Sequence, residues 1–231
     1  MKRFWKQAAT APVTGGFGIT LDGKPMRTPA KRPLVVPSLA LAEAVAAEWN
    51  EQPADFNPET MALTRFANTA VDRVADLRAE VVAELANWAS TDLVSYRTTE
   101  PPELIERQRA AWDPVVEWLR RRYDISLAVT HGLMPVAQAE DTVPRLAAVL
   151  EAHGDGELAA LHTLVGMLGS LALALAVAEG EIELETAWIA SRIDEQHQID
   201  AWGEDAEAAE RARRMRADLG HAHRFLTLLR S

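Results

Sequence analysis

The sequence predicts an α+β protein that is mainly α, with a small β-rich N-terminal domain over residues 1–57 that includes a first helix, and an α-helical C-terminal domain over 58–231. Three observations predict it. Phe17, Ile19 and Leu21 alternate, so one face of a strand there is apolar, and Asp22-Gly23 follows as a hairpin turn. After Pro37 the apolar spacing changes from two to about four, with Leu41, Val45 and Trp49 on one stripe. At the far end Met215, Leu219, Ala222, Leu226 and Leu229 repeat at four, three, four and three, the signature of a helix with one packed face.

The elements follow in order. Gly15-Gly16 marks a first turn and Asp22-Gly23 a second, since glycine tolerates the positive φ of tight hairpin turns. Leu34-Val35-Val36 is a short strand between prolines. Ser38 is a good N-cap for the first helix. Asn57-Pro58 opens another, with proline in its first turn, and Val81, Leu85 and Trp88 stripe a third. A long helix carries Ile105, Trp112, Val115 and Leu119, and Pro114 is expected to interrupt or kink it by removing a backbone donor. Ser126–His131 reads as a short strand. Thr142 and Pro144 begin a helix ending near Gly154, and a further helix runs from Glu185 to about Trp202. The last begins near Glu204, with Glu207–Arg211 and Glu210–Arg214 at i,i+4.

Composition narrows the function classes. There are no cysteines, which excludes disulfides, thiolate metal sites and cysteine nucleophiles. The net charge is −10. Residues 1–36 hold seven Lys/Arg against Asp22 alone, and the remainder holds seventeen bases against thirty-three acids. A strongly acidic body behind a short basic stretch lacks the broad positive field that nucleic acid demands, so no nucleic-acid partner is expected. Met1-Lys2-Arg3-Phe4-Trp5-Lys6 lacks the apolar run of a signal peptide. Leu158–Ala178 is uncharged for twenty-one residues, long enough for a bilayer. Six of them are alanine and two glycine, and acids flank the run where Lys or Arg would anchor it. It reads as a buried helix or helix pair, with no membrane insertion. A membrane-associated protein is the alternative that rests on this run alone.

Catalytic patterns are missing. Gly15-Gly16-Phe17-Gly18 fails the dinucleotide spacing, because Leu21 stands where the third glycine belongs, and a hairpin follows where a phosphate site needs a helix N-terminus. None of the six histidines falls in a His-Glu-x-x-His pattern, and no metal or cofactor is expected. Adjacent acids such as Asp194-Glu195 and Glu204-Asp205 diverge on a helix and do not flank a substrate. An enzyme with an unrecognised active site would need residues assembled from distant positions.

The seven tryptophans are more telling, because a Trp side chain combines a large apolar area with one donor and is enriched at interfaces. Trp49, Trp88 and Trp188 read as core. Trp202 stands in Asp194-Glu195-Gln196-His197-Gln198-Ile199-Asp200-Ala201-Trp202-Gly203-Glu204-Asp205, where Gly203 ends one helix and opens the next. Such a corner can expose an aromatic and an acidic pair together, or it can simply be a helix–helix corner with a packed Trp.

At this corner the sequence resembles the ATP synthase assembly chaperones that bind the free alpha subunit of the catalytic head. The resemblance runs through nearly the whole chain: Lys2-Arg3-Phe4-Trp5-Lys6, Leu21-Asp22-Gly23-Lys24 with Thr28-Pro29, Glu48-Trp49 with Gln52, Met61-Ala62-Leu63-Thr64 and Ala70-Val71-Asp72-Arg73. Thr91-Asp92, Tyr96-Arg97, Arg107-Gln108 and Trp112-Asp113-Pro114 follow, then Gly169-Ser170 with Leu171–Leu175, Asp194-Glu195 with Gln198, and Trp202–Ala206. Each piece is weak alone; their order and spacing are specific.

The resemblance implies a non-catalytic, monomeric chaperone whose partner is that alpha subunit. Its place would be the bacterial cytoplasm, or the mitochondrial matrix for a mature organellar form. The partner-binding surface is expected at Glu195, Gln198, Trp202, Glu204 and Asp205. Glu195, Gln198 and Trp202 share a helix face at i, i+3 and i+7. Glu204 is expected to lie where a carboxylate favours the next helix start.

Overall fold

A computed structural model describes residues 1–132 and 134–231. It is 61% helical and 10% strand, an α+β and mainly α fold. The chain packs into two compact units. The first contains Met1–Arg78, Gly154–Ala160 and His221–Ser231; the second contains Ala79–His153 and Leu161–Gly220.

In the first unit, β1 (Ala8–Val13) pairs antiparallel with β2 (Gly16–Leu21), which also pairs with β3 (Lys24–Pro25) and β4 (Val35–Val36). Leu21 faces Lys24 across the turn, and Asp22 and Gly23 both take positive φ, 49° and 78°. That is the twist-matched hairpin turn which glycine makes inexpensive. The Asp22 carboxylate also accepts from the Lys6 and Gln7 amides, so it ties the N-terminal arm to the sheet. α1 (Leu39–Asn50) is capped by Ser38, whose hydroxyl accepts from the Leu41 amide, and it buries Leu41, Ala42, Val45 and Ala46.

Trp5, Phe56 and Met61 form a buried cluster, with Trp49 half-buried against it; the Trp5 and Trp49 rings meet edge-on at 4.7 Å. Asn57-Pro58 opens a single 3₁₀ turn, Pro58–Thr60, and α2 (Ala62–Thr69) follows. It passes into a π-helical segment, Ala70–Val74.

The second unit is helical. It contains most of α3 (Arg78–Asn87), α4 (Pro102–Tyr123), α5 (Thr142–Glu151), α7 (Leu171–Ala178), α8 (Leu184–Ser191) and α9 (Ile193–Trp202). α6 (Asp155–Leu168) and α10 (Ala206–Leu229) contribute residues to both units. α4 packs against α7, α8 and α9. The expected strand at 126–131 shrinks to β6 (Thr130–His131), which pairs in parallel with β5 (Tyr96–Arg97). Only two residues meet a partner there.

Pro114 does not break α4, which runs on through it. Pro114 and Ala110 are exposed, so water can satisfy the Ala110 carbonyl that loses its donor. The opposite face, with Trp112, Val115, Trp118 and Leu119 buried, holds the helix in place. The uncharged run becomes a helix pair. Gly169 takes φ 66°, Ser170 caps α7, and all eight residues of α7 are buried. Among the described residues no helix is long and apolar enough to cross a membrane.

Candidate functional site

Most of the polar residues that carry the family resemblance hold the fold together. In the first unit the Arg3 guanidinium donates to the carbonyls of Trp5, Lys6, Asn50 and Gln52, which locks the N-terminal arm onto the end of α1. The Glu48 carboxylate accepts from the Leu63 and Thr64 amides, at 2.8 and 2.9 Å, and from the Thr64 hydroxyl. These are orphan donors of the first turn of α2, so Glu48 caps that helix from a distance. Asp72 accepts from the Thr28 hydroxyl and the Ala30 amide, holding the loop that leaves β3.

The second unit has a buried network of the same kind. Asp92, 0% exposed, accepts from the Val94 amide and from the Ala172 amide in the first turn of α7. Burial pushes its carboxyl above the ordinary aspartate range, against the pull of hydrogen bonds from Ser170, Ala172, Val94 and Leu171. Arg97, 6% exposed, donates to the Val94 and Gln108 carbonyls, pairs with Asp113 at 2.9 Å and lies over the Trp112 ring. Gln108 accepts from the Thr98 amide and donates to Asp194 at 2.6 Å; Trp112 donates to the Ala190 carbonyl. Thus β5, α4, α8 and α9 are pinned to one another by polar side chains. Sequence spacing gives no signal for this network, because its members come from four separate segments.

The corner between α9 and α10 is built differently. Trp202, the last residue of α9, is 81% exposed. Gly203 has φ 90° and ψ 164°, a conformation open essentially to glycine alone, and its amide donates to the Ile199 carbonyl. Helix α9 therefore stops abruptly and leaves the indole in solvent. Gln198 and Glu204 are exposed and, among the described residues, neither makes a side-chain hydrogen bond or ion pair.

The other two expected site residues carry structural contacts. Glu195 is half-buried and pairs with Arg192, whose guanidinium lies over the Trp188 ring at 4.7 Å. Asp205 is exposed, and its carboxylate accepts from the Ala208 amide at 2.8 Å. Asp205 is thus the N-cap of α10, which begins at Ala206, two residues later than expected. Glu204 stands just upstream of that cap, next to the helix start, and the hydrogen bond that caps α10 is made by Asp205. Nearby, Asp200 accepts from Gln196 and from Arg107 of α4, at 2.9 and 3.0 Å, and those bonds hold it below the ordinary aspartate range. One further exposed apolar residue of this unit, Ile189 on α8 at 61%, was not singled out from the sequence. A helical stripe gives no sign of which apolar side chain is left uncovered.

The first unit holds an open apolar cavity of about 510 Å3, lined by residues including Val35, Leu41, Ala67, Val71, Phe225 and Leu229. Its rim carboxylates, Asp155 and Glu157, pair with Arg78 and Arg230. Among the described residues, no three His, Asp or Glu side chains are grouped to hold a metal ion.

The family described as ATP12 chaperone protein matches residues 2–120. The chain belongs to the ATP12 chaperone family. That is a family of ATP synthase assembly factors. The chain is 26% identical over 220 residues to the mitochondrial protein atp12 of Schizosaccharomyces pombe, covering 89% of this chain and 75% of that one. Crystal-structure relatives agree over the whole length. Atp12 from Paracoccus denitrificans is 39% identical, covers 99% of this chain and 98% of its own, and superposes with a TM-score of 0.95. A lysine-for-aspartate mutant of the same Paracoccus protein also superposes at 0.95, covering 99% and 97%. A protein from Agrobacterium tumefaciens is 42% identical with a TM-score of 0.92, covering 99% and 86%. The ATP12 match at 2–120 spans the Arg3, Glu48, Asp72, Asp92 and Arg97 contacts, and the whole-chain superpositions also take in the exposed corner.

Proposed function

We propose that this ATP12 family member binds the free alpha subunit of the ATP synthase catalytic head and covers its subunit interface until the beta subunit docks. One observation carries the reading to particular residues: the corner of Gln198, Trp202 and Glu204 is exposed and has no side-chain partner among the described residues, while the other polar residues of the family pattern are largely spent on internal contacts. Trp is among the side chains most enriched at binding hot spots, which makes an exposed indole a ready anchor for a partner. A free alpha subunit exposes the apolar surface that the beta subunit later covers, and such patches drive aggregation.

Binding there lowers the aggregation-prone population by mass action. Release requires only that the beta subunit make the better contact, so the chaperone acts as a monomer, without catalysis or nucleotide turnover. The site of action is the bacterial cytoplasm, or the mitochondrial matrix for an organellar form. Titration of the purified chain against isolated alpha subunit, with light scattering as the readout, tests this. Scattering is expected to fall to baseline near a fixed molar ratio without added nucleotide. Scattering that stays unchanged at severalfold excess, with both proteins folded, contradicts it.

A further inference from the structure

We infer that the α9–α10 corner takes a cationic, arginine-presenting segment of the partner polypeptide, with the guanidinium seated on the Trp202 indole. The inference rests on the corner being the partner-binding surface and names the chemistry it selects. Trp202 is the most exposed large hydrophobic side chain among the described residues, at 81%. An exposed aromatic accepts either an apolar group or a cation on its π face. The surrounding charge decides between them. Residues 193–210 contain seven acids, Asp194, Glu195, Asp200, Glu204, Asp205, Glu207 and Glu210, and no Lys or Arg.

Part of that charge is answered internally. Glu195 pairs with Arg192, Asp200 with Arg107, and Glu210 with Arg213 and Arg214, while Asp194 takes a hydrogen bond from the Gln108 amide. Glu204, Asp205 and Glu207 have no ion pair among the described residues, and all three lie within five residues of Trp202. The indole therefore sits in the local field of three carboxylates that no ion pair neutralises among the described residues. That field repels an anionic segment, leaves a purely apolar one with no electrostatic gain, and favours a guanidinium, which can stack on the ring and meet a carboxylate at once. The protein forms the same contact internally, with Arg97 over Trp112 and Arg192 over Trp188.

The test uses a fluorescein-labelled hexa-arginine peptide, with anisotropy measured against the full chain at low ionic strength, and a hexa-glutamate peptide as control. Wild type and Trp202→Phe should bind hexa-arginine. Trp202→Leu, which keeps apolar bulk and net charge but removes the π face, should bind at least about threefold more weakly. Equal binding by Trp202→Leu would show that net charge alone attracts the peptide and would overturn the inference. Alpha-subunit binding is measured on the same variants. If Trp202→Leu loses the alpha subunit but keeps hexa-arginine, the corner is a partner surface with a non-cationic occupant, and this inference fails alone. If wild type ignores the alpha subunit while the peptide result holds, the functional reading fails and the cation site stands.

Discussion

Trp112→Ala is expected to remove about 3–5 kcal/mol of stability, the range for truncating a fully buried aromatic. Trp112 is 0% exposed, donates to the Ala190 carbonyl at 2.8 Å, and supports the Arg97 guanidinium at 5.1 Å from its ring. Losing it opens a cavity, strands a buried carbonyl, and leaves a buried arginine, 6% exposed, without its aromatic floor; one Arg97 amino group already lacks a hydrogen-bond partner among the described residues. Total stability of a domain is roughly 5–15 kcal/mol, so the variant should be close to unfolding at growth temperature. At about 2–4 °C per kcal/mol for a chain of this size, the melting temperature should fall by roughly 6–20 °C. Trp112→Phe keeps a six-membered aromatic ring and loses the donor and the rest of the indole, so its loss should be clearly smaller. A thermal melt followed by circular dichroism checks both, and a shift under about 3 °C for the alanine variant would rule out the network as the organiser of this unit.

The second large effect is on binding. Glu204→Lys should leave the fold intact and weaken alpha-subunit binding by at least about tenfold, or ~1.4 kcal/mol. Glu204 is exposed, makes no side-chain contact among the described residues, and leaves the capping of α10 to Asp205. Its remaining structural role is the attraction of a carboxylate to a helix start, worth roughly 0.3–1 kcal/mol. Circular dichroism separates the two effects. A variant that melts like wild type and binds like wild type would remove Glu204 from the surface.

The fold was legible wherever a local rule decides it. The Asp22-Gly23 turn, the Ser38 cap and the end of α9 at Gly203 each follow from a residue type that one backbone conformation favours. Pro114 does not interrupt α4 because the tertiary setting, a buried face opposite and water on its own side, outweighs the local penalty. The long-range polar contacts were not legible. Nothing near Glu48 announces that it caps a helix fifteen residues away, and Arg97, Gln108 and Asp194 meet only in space. The return of 154–160 and 221–231 to the first unit is likewise a property of packing.

At the corner, the sequence marked Trp202 and its acids but not which of them are free. Gln198, Trp202 and Glu204 are exposed without side-chain partners among the described residues, while Glu195 and Asp205 carry structural contacts that spacing alone did not reveal. This division matters for mutagenesis, because loss of function at Glu195 or Asp205 would mix folding with recognition.

The most direct test of the account is a displacement measurement. Preformed complex of this chain with labelled alpha subunit is titrated with free beta subunit in the absence of nucleotide, and release is followed by size-exclusion chromatography. The account predicts that the chaperone leaves as a free monomer in proportion to the beta subunit added, with the alpha subunit moving into the alpha–beta species. A stable complex of all three proteins, in which the beta subunit docks while this chain stays bound to the alpha subunit, would contradict it.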